Sequence, residues 1–108
     1  MATSTVNENP LAWKLKGTAS GNAKVTMPTE YSEILLWAQK GTTYFSMIVP
    51  KNEISASNIY PRFTFYYRAD VCSGGYFDVT STDACCSQWV ENGGYSYLSQ
   101  VTFKLYYR

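Results

Sequence analysis

The sequence predicts an all-β domain: an antiparallel β-sandwich, jelly-roll-like, of about eight short strands. Three observations predict it. Apolar residues recur at every second position almost throughout the chain. Gly, Pro, Asn and Asp punctuate it at short intervals. No segment holds a helical period for long, so the crossover helices that parallel strands require are not to be expected. A length of 108 residues suits one domain. Residues 11–108 are read as that single sandwich. Residues 1–10, polar until Pro10, are read as a disordered lead or a truncated linker.

The elements follow in order. Leu11, Trp13 and Leu15 alternate with Lys14 and Lys16, which gives a first strand. Gly17 to Asn22 is a turn, and Ala23, Val25 and Met27 form a second strand, so the two are expected to pair as a hairpin. Thr29 to Lys40 fits two periods. Tyr31, Ile34, Leu35 and Ala38 have helical spacing, whereas the apolar run from Ile34 to Ala38 suits a doubly buried strand. A strand over Glu33–Gln39 is preferred, because the stretch is short for a helix and its neighbours are strands. After the Lys40-Gly41 turn, Thr42–Val49 is rich in β-branched and aromatic residues and ends at Pro50.

Lys51 to Asn58 reads as a polar loop. Arg62–Arg68 has the cleanest alternation in the chain, with Phe63, Phe65 and Tyr67 on one face. Ala69–Gly75 reads as a loop or hairpin tip, Tyr76–Thr80 as a strand and Ser81–Asp83 as a turn. Ala84–Glu91 is the next strand. Asn92-Gly93-Gly94 supplies residues that tolerate positive φ, a strong hairpin signal. Leu98–Tyr107 closes the fold, with Val101, Phe103, Leu105 and Tyr107 on one face. The expected core contains Trp13, Leu15, Ile34, Leu36, Phe63, Phe65, Val101 and Phe103. Trp13, Trp37 and Trp89 are expected to fill the space between the sheets.

Composition narrows the function. Nine Lys and Arg against eight Asp and Glu leave a net charge of +1, and the basic residues are scattered, so no nucleic-acid partner is expected. No apolar run reaches the length of a membrane span, and no membrane insertion is expected. The chain has no His, which removes His-based triads, Cys-His pairs and histidine metal sites. The Gly-Gly pairs at 74–75 and 93–94 lie between strands, not before a helix, so they are no phosphate loop. Asp70, Asp78, Asp83 and Glu91 could in principle form a carboxylate pair, but Asp residues at turns commonly serve turn geometry. A non-catalytic domain with no cofactor or metal is therefore expected. Cys72, Cys85 and Cys86 are an odd number of thiols, two of them adjacent. They suit free thiols in a reducing compartment, the alternative being a bond from Cys72 to Cys85 or Cys86.

Binding is the class that remains. Aromatic residues make up 17% of the chain, ten of them Tyr, a side chain that suits both half-buried sheets and binding surfaces. Tyr76, Trp89, Tyr95 and Tyr97 lie near two turns and could form a platform for sugar rings. The competing reading of each is core packing or cross-strand pairing, and it weighs most for Trp89. Tyr66 and Tyr106, with Tyr44, are placed on outer faces, where they would form an apolar patch that a neighbouring copy could cover.

Four segments carry a resemblance. They are Trp13-Lys14-Leu15, VTMPTEYSEILL (Val25 to Leu36), IVPKNEI (Ile48 to Ile54) and the closing VTFKLYYR (Val101 to Arg108). In this order they resemble the small C-terminal β-domains of phage and prophage tail-associated proteins, over roughly Trp13 to Arg108. The shared motifs are turns and strand ends, with no catalytic residue among them. The resemblance implies a tail-fibre or receptor-binding tip module. Such a module would be a homotrimer that binds a host-surface glycan or mediates tail assembly, carried in the virion tail after synthesis in the bacterial cytoplasm. The other reading is a carbohydrate-binding module of a larger secreted enzyme.

Overall fold

A computed structural model of the chain describes residues 12–54, 62–68 and 73–108. Among the described residues there are nine strands: β1 (Lys14–Ser20), β2 (Val25–Thr26), β3 (Glu33–Lys40), β4 (Thr43–Pro50), β5 (Arg62–Arg68), β6 (Ser73–Val79), β7 (Asp83–Glu91), β8 (Tyr95–Ser96) and β9 (Thr102–Tyr107). They form two antiparallel sheets. Sheet A has the order β1-β9-β3-β4, and sheet B the order β2-β7-β6-β5, with β8 pairing on β7. Single 3-10 turns follow β4 at Lys51–Glu53 and precede β9 at Leu98–Gln100. The sheets face each other across one hydrophobic core, as the alternation predicts.

Local chemistry explains the best-defined pairings. Gly41 has φ 60°, the positive value that the first position of a tight two-residue hairpin turn demands, and β3 and β4 pair without a break from Glu33↔Pro50 to Lys40↔Thr43. Positive φ at Asn92, Gly93 and Gly94 turns β7 into β8. At the β6–β7 turn the Thr80 hydroxyl accepts the backbone N–H of both Thr82 and Asp83, each at 3.1 Å.

The core draws on both sheets. Ile34, Leu36, Ala38, Val49, Phe103 and Leu105 come from sheet A; Phe65, Phe77, Val79, Ala84, Cys86 and Trp89 come from sheet B. Phe65 sits at the junction. It stacks on Phe45 of sheet A (4.6 Å between centroids) and touches Phe77 (5.1 Å) and Trp89 (5.7 Å) of its own sheet. Of the expected core, Ile34, Leu36, Phe65, Val101 and Phe103 are buried, and Phe63 packs against the core half-buried.

Trp13 and Leu15 depart from expectation. Trp13 is half-buried beneath the Arg108 guanidinium, 4.0 Å from its ring, and Leu15 is 55% exposed. The cause is the pairing of β1. A bulge between Leu15 and Gly17 puts Leu15 opposite Tyr106 on the outer face and Gly17 opposite Leu105 on the inner one. Small residues are needed on that inner face, because β2 passes close by: a Cβ on Gly17 would lie 2.7 Å from Val25 Cγ1. Nor do β1 and β2 form a hairpin. β1 pairs with β9 and β2 with β7, so the chain crosses from one sheet to the other between them.

Three further differences follow from packing. Ser73, Gly74 and Gly75, read as loop, begin β6 and are buried. Residues 98–100, read as strand, are a 3-10 turn, and the hairpin partner of β7 is the short β8. Of the three Trp side chains only Trp89 lies between the sheets; Trp37 is on the outer face of sheet A, stacked on Tyr44.

Candidate functional site

Of the aromatic residues read as a sugar platform, Tyr76 does not share a surface with Trp89 and Tyr97. Trp89 is fully buried and belongs to the core, so its ring offers no face to a ligand. Its Nε1–H donates to Glu91 Oε1 at 3.1 Å, and the same oxygen lies 3.0 Å from Lys40 Nζ. That ammonium also sits 4.4 Å from the centre of the Tyr97 ring. Trp89 and Tyr97 are thus brought together in a polar clasp that ties the end of β3 to the end of β7. Lys40 covers Tyr97 there, and the cluster reads as structural. The Tyr95 side chain lies outside the described residues, as does that of Tyr66, and Asp70 and Cys72 lie outside them altogether.

Tyr76 is placed differently. It stands on the outer face of sheet B, between Thr64 on β5 and Gln88 on β7. An extra residue in β7, at the register shift beyond Tyr76, turns Ser87 to this face, where its hydroxyl donates to Asp78 Oδ2 at 2.6 Å. The Cys85 thiol lies 3.3 Å from the same hydroxyl. A shallow depression of about 140 Å³ beside them is lined by Lys24, Asp78, Asp83, Cys85 and Ser87. Tyr76 is thus an aromatic ring on a polar sheet face. Among the described residues, no three His, Cys, Asp or Glu side chains are grouped to hold a metal ion. A larger open cavity of about 520 Å³, lined by Met27, Tyr31, Lys51 and Ile54 among others, includes none of the four aromatic residues.

The outer face of sheet A is the opposite in character. The register sets Leu15, Tyr106, Leu35 and Ile48 side by side in one row across all four strands. With strands about 4.8 Å apart, the row is roughly 14 Å long. One step along, Trp37 and Tyr44 stack at 4.4 Å with 9° between their planes. The exposed large hydrophobic residues among those described are Leu15, Tyr44 and Ile48, at 55%, 55% and 51%, and all three lie on this face. The sequence reading placed Tyr44 and Tyr106 on an outer face. It missed Leu15 and did not single out Leu35 or Ile48, because period-two alternation does not say which face is inward.

Compared with protein-family models, with curated proteins and with solved structures, this chain matches none.

The cysteines differ in setting. Cys85 and Cys86 are both buried free thiols. Cys86 faces the core, and burial pushes its pKa up to about 12 from an ordinary 9.0. A thiol held neutral in this way is unreactive. In the native protein at pH 8, alkylation of Cys86 by iodoacetamide is expected to be about 100-fold or more slower than in urea. Peptide mass mapping after timed quenching reads this directly, and equal rates would place Cys86 outside the core. Because the folded pKa is the higher one, the stabilisation is present below about pH 9 and is lost as pH rises towards 12.

Proposed function

We propose that this chain is a non-catalytic association and binding module of the phage-tail type, with the outer face of sheet A as its association surface. The observation that carries the reading is the Leu15–Tyr106–Leu35–Ile48 row with the Trp37–Tyr44 stack beside it. A contiguous apolar face of this kind is characteristic of a surface that meets another protein. The assembly that the tail-protein resemblance implies, three copies, is part of the proposal. So is a glycan on the opposite, polar face, where Tyr76 supplies a ring, Thr64 and Gln88 stand as polar neighbours on the adjoining strands, and Asp78 follows two residues along the same strand.

Sedimentation equilibrium on the full chain tests the association. It should give a mass above one chain, in multiples of three copies at saturation. Leu15→Lys, which places a charge in the row at a site already exposed, should weaken association by on the order of 100-fold and leave the circular dichroism spectrum unchanged. A monomer at high concentration would remove the reading. A glycan array tests the other face: signal lost on Tyr76→Ala supports it, and an array without signal removes the glycan part alone.

A further inference from the structure

A sheet that is not closed into a barrel has edges, and proteins protect edges in recognisable ways. Three of the four edges here show such protection. β1 carries Lys14 and Lys16 and is broken by the bulge at Leu15/Gly17. β5 carries Arg62 and Arg68 and has a register shift between Tyr66 and Arg68. The other edge of sheet B is formed, among the described residues, by β2 and β8, two residues each. β4 is the exception. It is eight residues long, has no charged side chain and keeps unbroken register with β3 along its whole length.

The hydrogen-bonding parity of β4 is fixed by its neighbours. Glu33 and Arg108 exchange backbone bonds, each at 3.1 Å, so odd-numbered β3 residues bond to β9 and even-numbered ones to β4. Ile34, Leu36, Ala38 and Lys40 therefore engage Val49, Met47, Phe45 and Thr43. The N–H and C=O groups of Tyr44, Ser46 and Ile48 point away from the sheet, and no described residue bonds to them. Pro50, which has no N–H to offer, stands beyond this segment.

We propose that β4 is a strand-addition edge and that its occupant is β4 of a second copy of this chain, antiparallel and centred on Ser46. The segment is self-complementary in that register. Ser46 faces its own counterpart across the two-fold axis, and Tyr44 faces Ile48 of the second copy at both ends. All the outward donors and acceptors pair, in about six backbone bonds. Tyr44 against Ile48 is a favoured aromatic–β-branched cross-strand pair. On the inner side, half-buried Phe45 and Met47 of each copy come to lie opposite each other, which removes more apolar surface from water. No like charges meet, because the strand has none. Edge pairing joins copies in the plane of the sheet and leaves its outer face free, so it goes beyond the association proposed above.

Amide hydrogen exchange on the full chain, read by NMR across a concentration series, is the test. At high concentration the amides of Tyr44, Ser46 and Ile48 should be protected on the order of 100-fold, and dilution should remove that protection. The amides of Phe45, Met47 and Val49 should stay protected throughout. Ser46→Pro deletes the central outward N–H and should abolish the concentration-dependent protection of Tyr44 and Ile48, whereas Leu15→Lys should not. Should the proline variant fail to fold, Ser46→Lys serves instead, since it changes an exposed side chain outside the apolar row and sets two like charges opposite each other across the two-fold axis. If the three amides exchange freely at every concentration, or if their protection is lost with Leu15→Lys and kept with Ser46→Pro, the edge pairing is overturned.

Discussion

Gly75→Ala is expected to destabilise the domain by about 3 kcal/mol or more, one of the largest effects of any single-methyl addition to it. Gly75 lies inside β6, between β5 and β7. A Cβ built there would sit 1.9 Å from the backbone oxygen of Gln88 and 3.0 Å from Phe65 Cζ. The first obstacle is main chain of the adjoining strand, held by its own ladder, and the second is the ring at the centre of the core. Neither can step aside as a surface side chain does. Urea unfolding followed by circular dichroism measures the loss. An unchanged midpoint would mean that β6 and β7 separate at the bulge without cost. Gly93→Ala is a useful contrast, because nothing lies within 4 Å of its Cβ and the only obstacle is a φ of 82°.

Phe65→Ala should cost about 3–5 kcal/mol, enough to lower Tm by at least about 12 °C. The ring is 2% exposed and meets aromatic neighbours from both sheets, so its loss opens a cavity where the two layers are held together. Phe45→Ala removes the other half of the inter-sheet stack from a half-buried position and should cost less. Combining the two should be less than additive, since the second substitution has no stacking partner left to remove. Thermal unfolding of the two single variants and the double variant checks both statements. Strict additivity would mean that the stack itself contributes nothing.

Most of the strands were legible because alternation is a local property. Phe103 and Leu105 read as the inner face of a one-sided strand and are that, whereas the Ile34–Ala38 run, read as doubly buried, buries only Ile34, Leu36 and Ala38 and turns Leu35 and Trp37 to the outer face. What alternation leaves open is the sign of the face, and β1 shows why. Trp13 and Leu15 look like core residues by hydropathy. Their position is set instead by a bulge and by the nearness of Val25, which leaves Gly17 no room for a side chain. Gly74-Gly75 misled in the opposite way. Paired glycines usually mark turns, but here one of them allows two strands to approach closely. The candidate site was harder still. Trp89 and Tyr97 are close in sequence and meet, but around Glu91 and Lys40, and Lys40 is distant in sequence. The apolar row across sheet A joins residues from four strands, and its alignment depends on a strand order that no stretch of sequence contains.

β9 sits in the interior of sheet A, between β1 and β3. During synthesis this orders events in time. The β3–β4 hairpin and the β5–β6–β7 meander can form as they leave the ribosome, because their partners are adjacent in the chain. Sheet A cannot close until residue 107 has emerged, and until then β1 has no partner and β3 has one open side. Ile34, Leu36 and Ala38 therefore wait in water without the Phe103 and Leu105 side chains beside them. The interval between emergence of β3 and emergence of β9 is when the nascent chain most exposes its core, and loss of the last strand by truncation would make that state permanent.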